Sequence, residues 1–148
     1  MSGASRDKTC QLKTLMKRPQ GIPSVGVHDA LSALVAQQAG FELLFLGGFG
    51  VSASRLGLPD LQFLGLRDME QAVSELTAVL EIPLIVDADT GHGDLPQVRR
   101  TVQRLAAAGA SGLLLEDQQS PKRCGHFRGK QVIDTSSMQA KLRVALEA

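Results

Sequence analysis

Leu84-Ile85-Val86-Asp87-Ala88-Asp89-Thr90-Gly91-His92-Gly93 reads as a short apolar strand that ends in carboxylates and then turns on glycine. Three apolar residues in a row, without polar alternation, suit a strand buried on both faces. Asp94 and Pro96 then open a helix with Val98, Val102 and Leu105 inward, closed by Gly109. The next strand is Leu113-Leu114-Leu115, and it too runs into carboxylates, Glu116-Asp117. Upstream the same order repeats. Residues 22–25 are a first strand candidate, followed by a helix from Ala30 to Ala39 with Leu31, Leu34 and Val35 on one face and Gly40 as its stop. Glu42 to Leu46 is a strand ending in Gly47-Gly48. Asp68 can cap a helix whose Met69, Val73, Leu76 and Leu80 form one stripe. Ser136 with Gln139 has the spacing of a capping box for a last helix, Met138 to Ala148.

Four βα units in series, with continuously apolar strands, predict a parallel sheet covered by helices. Polar residues collect just after the strands, where parallel α/β folds place their sites. Periodicity alone fits an open sheet and a barrel equally.

Composition narrows the function. The chain has 148 residues, 43% hydrophobic and 21% charged, enough for one domain with a core. A formal net charge of +1 and the absence of Trp and Tyr argue against nucleic acid or a membrane surface as partner. The polar start, Met1 to Lys8, lacks the apolar core of a signal peptide, and no run is long enough to span a bilayer, so the cytoplasm is the expected compartment. Cys10 and Cys124 match neither a disulfide framework nor a zinc spacing.

Two clusters carry chemistry. Asp87 and Asp89 lie two apart, so persisting strand geometry would point both at one face, where they could share a hard cation. The same pattern by itself also describes a turn with aspartates on backbone donors. The second cluster is Pro121-Lys122-Arg123-Cys124-Gly125-His126. A lone cysteine is usually a small buried apolar residue, but cationic neighbours of this kind stabilise a thiolate and suit a residue that moves a proton. The segment 118–130 is long for a βα connection and positively charged, as lids often are. Gly47, Gly48 and Gly50 leave amides accessible to a carboxylate, or simply pack tightly.

Asp87 to Gly93, Pro121 to His126 and Gly57-Leu58-Pro59-Asp60 resemble the motifs of the isocitrate lyase/phosphoenolpyruvate mutase superfamily, closest to its 2-methylisocitrate lyase and 2,3-dimethylmalate lyase branch. The resemblance runs from about Gly21 to the C-terminus. It implies a (β/α)₈ TIM barrel, of which this chain holds about the first four βα units, as residues 21–148 after a lead-in of residues 1–20. A whole barrel needs roughly 200 residues or more, so an N-terminal half, inactive and marginally stable by itself, is expected.

By the same resemblance, Asp87 and Asp89 are Mg²⁺ residues (Mn²⁺ is possible), with Asp60 and Glu116 in the outer shell. Cys124 is the acid/base, and Lys122, Arg123 and His126 act with it on charge. Gly47, Gly48, Phe49, Cys124 and Gly125 face the substrate. Gly47 departs from the family, where Ser or Thr is usual. The implied reaction is carbon–carbon cleavage of a small 2-hydroxy di- or tricarboxylate of the 2-methylisocitrate or 2-alkylmalate type, in a homotetramer. Phosphonomutase relatives typically carry an Asn-Ser pair where Arg123-Cys124-Gly125 stands, so the thiol favours the lyase. Oxaloacetate decarboxylation, phosphonomutase chemistry and an inert half-barrel are the alternatives.

Overall fold

A computed structural model describes residues 3–124 and 127–148. Its centre is a four-stranded parallel sheet in the order β1-β2-β3-β4, formed by Val25–Val27, Leu44–Leu46, Leu84–Asp87 and Gly112–Leu114. Around it lie α1 (Gly3–Leu15), α2 (Ala30–Gln38), α3 (Gly48–Leu56), α4 (Leu66–Val79), α5 (Leu95–Ala107) and α6 (Thr135–Leu146). Successive strands are neighbours, each one reached through a helical crossover, and the register aligns Val27, Leu46, Val86 and Leu113 across the sheet. This is the βα order of a barrel, open at the outer edges of β1 and β4 among the described residues.

The sheet has two differently covered faces, as alternation along a strand requires. Leu44, Leu46, Leu84 and Val86 join Met69, Ala72, Val73 and Leu76 of α4 and Leu105 of α5 in the main core. Ile85 points to the other face, where it meets Leu12 and Leu15 of α1 and Leu43. Asp87, two residues on, shares the Ile85 face. Helix α1 also reaches the far side of the sheet floor: Lys8 donates to the carbonyls of Thr77 and Leu80, at the C-terminal end of α4. A Cβ at Gly112 would lie 2.8 Å from Leu12 Cδ2.

The sequence reading differs from the structure in several places. The first strand is Val25–Val27 rather than 22–25, and α1 and α3 were not foreseen. In α2 the small residues Ala33 and Ala36 are buried, while Leu31 and Val35 are 71% and 58% exposed. Close packing there selects alanine, while Leu31 and Val35 face away. Asp68 does not stand at the helix boundary; as third residue of α4 it accepts from the N–H of the N-cap Gly65 at 2.8 Å. Asp134, not Ser136, caps α6, accepting from Ser137 N–H at 2.9 Å.

The α5 terminus follows its glycine. Gly109 has φ +109°, and its N–H donates to the Ala106 carbonyl at 3.1 Å. A Cβ there would sit 2.7 Å from Thr77 Oγ1 and 2.9 Å from Thr77 Cβ, on a hydroxyl that donates to the Ala108 carbonyl at 2.8 Å. Gly109→Ala therefore combines backbone strain with overpacking, and should cost about 2 kcal/mol. Urea unfolding should show this as a lower midpoint with an unchanged slope.

Candidate active site

Asp87 ends β3, so its carboxylate emerges at the C-terminal edge of the sheet. The chain then turns sharply. Asp89 adopts φ +49° and His92 φ +56°, with Gly91 and Gly93 also in positive-φ backbone. The turn is tied down by Gly91 N–H to the Ala88 carbonyl at 2.9 Å and by Thr101 Oγ1 to the Gly91 carbonyl at 3.0 Å. Asp89 N–H donates to Asp87 Oδ1 at 2.9 Å, and the Asp89 carbonyl accepts from Glu116 N–H at 2.8 Å. Thus the ends of β3 and β4 are locked together, and their carboxylates are held on one side.

The carboxylates surround one ammonium. Lys122 Nζ lies 3.4 Å from Asp60 Oδ2, 3.5 Å from Asp87 Oδ2 and 3.7 Å from Glu116 Oε1. It also pairs directly with Asp89 Oδ1. The Lys122 side chain is only 2% exposed. Burial opposes its charge, but the carboxylates of Asp87 and Asp89 together outweigh burial and hold the ammonium well above its ordinary pKa. Burial, then the Asp87 charge, raises Asp89, with Lys122 working against both. Burial raises Glu116 and lowers His92. His92 Nε2 is buried without a hydrogen-bond partner, 4.0 Å from Asp89 Oδ2.

Lys122 reaches the carboxylates because its loop is docked. Lys122 N–H donates to Gln62 Oε1 at 3.1 Å, and Ser120 Oγ shares that acceptor at 3.2 Å. Cys124 N–H donates to the Asp60 carbonyl at 3.1 Å, and Cys124 is buried. Gln118 bridges the loop, donating to Glu116 Oε2 at 2.8 Å and to the Arg123 carbonyl at 3.0 Å. The loop returns through a bridge between Gln118 and Val132. The Ser120–Pro121 peptide bond is cis.

Other expected residues fall around this centre. Gly48 begins α3, and its N–H points at Asp87 Oδ2, 3.4 Å away. Gly47 is the N-cap of α3 and offers no side-chain cap; a Cβ there would lie 3.1 Å from the Phe45 ring. Phe49 is 60% exposed, and Arg123 is exposed, its N–H donating to Gln118 Oε1 at 3.2 Å. Gly125 and His126 lie outside the described residues. Gln62 and Gln118, which seat the loop, carry no signal of that role in the sequence pattern. A glutamine at φ +61° in Gln62 has no motif to announce it.

The donor set fits a hard divalent cation. Asp60, Asp87, Asp89 and Glu116 supply oxygen only, as Mg²⁺ prefers. A Cβ at Gly48 would lie 3.6 Å from both Asp87 Oδ2 and Asp89 Oδ1 and 3.7 Å from Asp60 Oδ1, so glycine leaves a cradle between them. Among the described residues no three His, Cys, Asp or Glu side chains are drawn together closely enough to hold an ion. Two carboxylates and several waters are sufficient for Mg²⁺.

A parallel βα half-barrel with a carboxylate cluster at its C-terminal strand ends defines the class of the chain. The family model described as phosphoenolpyruvate phosphomutase matches residues 12–148, and the chain belongs to that family, within the isocitrate lyase/phosphoenolpyruvate mutase superfamily. It is similar to the chloroplastic carboxyvinyl-carboxyphosphonate phosphorylmutase of Arabidopsis thaliana, 45% identical over 145 residues, covering 95% of this chain and 43% of that protein. A 2-methylisocitrate lyase of Halalkalibacterium halodurans is 39% identical over 133 residues, covering 90% of this chain and 44% of the relative. The crystal structure of a 2,3-dimethylmalate lyase superposes with a TM-score of 0.87 at 35% identity, covering 99% of this chain and 48% of that one. The chain thus spans less than half the length of these relatives, matching the N-terminal half, and its fold is about the first four βα units of a TIM barrel. No helix among the described residues is long and apolar enough to cross a membrane.

Removing the ammonium should expose the cost of the carboxylate cluster. Lys122→Met leaves the buried charges of Asp87 and Asp89 without a cation, and in the metal-free chain should lower unfolding stability by about 3 kcal/mol. Urea titrations in the presence of a chelator measure it; an unchanged midpoint would mean that the carboxylates do not depend on Lys122.

Proposed function

We propose that this chain forms the metal-binding and acid/base half of a carbon–carbon lyase acting on a small 2-hydroxy di- or tricarboxylate of the 2-methylisocitrate or 2-alkylmalate type. The observation that carries the reading is the seating of the cysteine loop against the acidic cluster. Cys124 N–H on the Asp60 carbonyl fixes a thiol-bearing residue beside the carboxylates that fit Mg²⁺. The lyase relative at 39% identity supports the reaction class.

Asp87 and Asp89 would hold Mg²⁺, with Asp60 and Glu116 taking its waters. When bound, the ion would supply a Lewis acid for the carboxylate and hydroxyl of the α-hydroxy acid. The chain's own groups do the rest. Amides at the start of α3, uncapped at Gly47, face a substrate carboxylate with the positive end of the helix. As the carbon–carbon bond breaks, the hydroxyl proton passes to a carboxylate of the cluster, the hydroxyl carbon becomes a carbonyl and the other fragment keeps the electron pair. Cys124 donates the proton that quenches it, and in the condensation direction removes it again. The loop over the site keeps bulk water from that proton transfer.

The phosphorylmutase name of the Arabidopsis relative favours a second reading, phosphonomutase chemistry. The two separate on the thiol, because phosphoryl migration has no use for a proton donor.

The test needs a polypeptide that includes the second barrel half. There Cys124→Ser replaces a thiol of reference pKa about 8.5 with a hydroxyl that hardly ionises. Turnover of 2-hydroxy acids should fall by roughly 10²–10⁴-fold, with substrate affinity and Mn²⁺ binding retained. Assays of pyruvate and glyoxylate release on the wild type and the variant decide. Near-normal turnover in the variant would remove Cys124 from the chemistry, and a wild type that releases neither product would return the phosphonomutase reading to the front.

A further inference from the structure

We infer that His92 is a positioning residue for the metal site: its Nε2–H is the donor for Asp89 Oδ2, and so aims Asp89 Oδ1 into the carboxylate cluster. The inference rests on the metal reading above and adds the group that orients one of the two ligands.

Two features set His92 apart. Its side chain is only 9% exposed, and Nε2 is buried without a partner, although an unpaired buried polar atom is costly and uncommon. Its backbone is left-handed, φ +56°, between Gly91 and Gly93 at φ +91° and +146°. Glycine takes up such a backbone freely, whereas a residue with a β-carbon does so at a cost. A histidine held there with its ring buried points to a use for the ring.

The oxygens of the two ligating aspartates show what that use is. Asp87 Oδ2 and Asp89 Oδ1 line the cradle, each 3.6 Å from a Cβ placed on Gly48. Asp87 turns its other oxygen away, and Oδ1 accepts from Asp89 N–H at 2.9 Å. Asp89 turns Oδ2 toward His92, 4.0 Å from Nε2. His92 thus stands to Asp89 as the backbone N–H stands to Asp87. Carboxylates that hold a metal are in turn hydrogen-bonded, and these outer partners tune affinity for the ion.

The turn keeps the pair together. The Asp89 carbonyl accepts from Glu116 N–H at 2.8 Å, and Gly91 N–H donates to the Ala88 carbonyl at 2.9 Å. A Cβ on Gly91 would lie 2.6 Å from Val98 Cγ2, so the turn is pressed against α5. With both backbones fixed, the ring and the carboxyl keep their last torsions, which are broad for His and Asp. A small rotation of either brings the 4.0 Å separation to the roughly 3 Å of a hydrogen bond.

The experiment uses the 148-residue chain and readouts that need no activity. Mn²⁺ affinity is measured from the electron paramagnetic resonance of the free ion, for the wild type, His92→Phe and His92→Gln. Phenylalanine keeps a ring of similar size without the donor, and should bind Mn²⁺ about 10–100-fold more weakly. Glutamine restores an N–H near the place of Nε2, and its affinity should stay close to that of the wild type. In the second readout the wild type carries ¹⁵N-histidine and is titrated with Mg²⁺. The His92 Nε2 resonance should shift, and its proton should exchange more slowly with water, while half-exposed His28 stays unchanged.

Equal Mn²⁺ affinity in His92→Phe overturns the inference and leaves the metal reading intact. Equal weakening in both variants also overturns it, since the shape of the ring and not its donor would then matter. A wild type that binds neither ion removes the metal reading and the inference together. If His92→Phe fails to fold, the wild-type spectrum decides: an unmoved His92 resonance at saturating Mg²⁺ overturns the inference.

Discussion

Four carboxylates placed around one ammonium form the contact on which the top of this structure depends. Asp87 and Asp89 come from the end of β3, Glu116 from the end of β4, and Asp60 from the segment after α3, so the cluster joins three separate crossovers. Each carboxylate alone would be a costly guest at low exposure. Together they need a cation, and the fold delivers one on a loop. The burial that raises Asp89 and Glu116 is the same burial that makes the counter-charge indispensable. Electrostatics therefore works with the hydrogen bonds to Gln62 and Asp60 in placing the 118–124 segment.

The order of elements was legible because buried parallel strands write themselves as apolar runs, and β3 and β4 could be placed to within a residue or two. The helix stripe Met69, Val73, Leu76 and Leu80 was equally plain, and all four residues are buried. Faces were less so. In α2 Ala33 and Ala36 pack and Leu31 is exposed, since a helix lying close to a sheet wants short side chains at the contact. Helix α3 was hidden by its glycines, Gly48 and Gly50, which depress helix propensity yet allow close approach to Asp87 and to His28, whose Cβ would stand 3.0 Å from a Cβ at Gly50. Motifs at strand ends pointed to the acidic cluster. That Lys122 would sit inside it depends on Gln62, some 60 residues away in sequence, and no local pattern carries such information.

The comparison with longer relatives gives the open edges a meaning. Strands β1 and β4 expose their outer edges among the described residues, and Leu114 at the C-terminal edge is 51% exposed. Unpaired parallel edges with apolar side chains are surfaces that a complete barrel covers. Helix α6 belongs to the same picture: it packs on α5, buries no residue completely, and leaves Leu142 and Leu146 at 44% and 88% exposure. The carboxylate cluster, by contrast, is assembled from elements within these four units, so its geometry does not wait for the remaining barrel.

Helix α1 shows how labour is divided along the strands. It meets the sheet through Leu12 and Leu15 against Leu43 and Ile85, with Leu12 also against Gly112, and reaches the carbonyls of Thr77 and Leu80 through Lys8. The opposite rim is held by charge and hydrogen bonds. The apolar contacts of α1 thus lie at one end of β3, and the charged contacts of Lys122 at the other. Because the Lys122 side chain is only 2% exposed, added salt screens the rim weakly, so both ends of the sheet should hold as ionic strength rises.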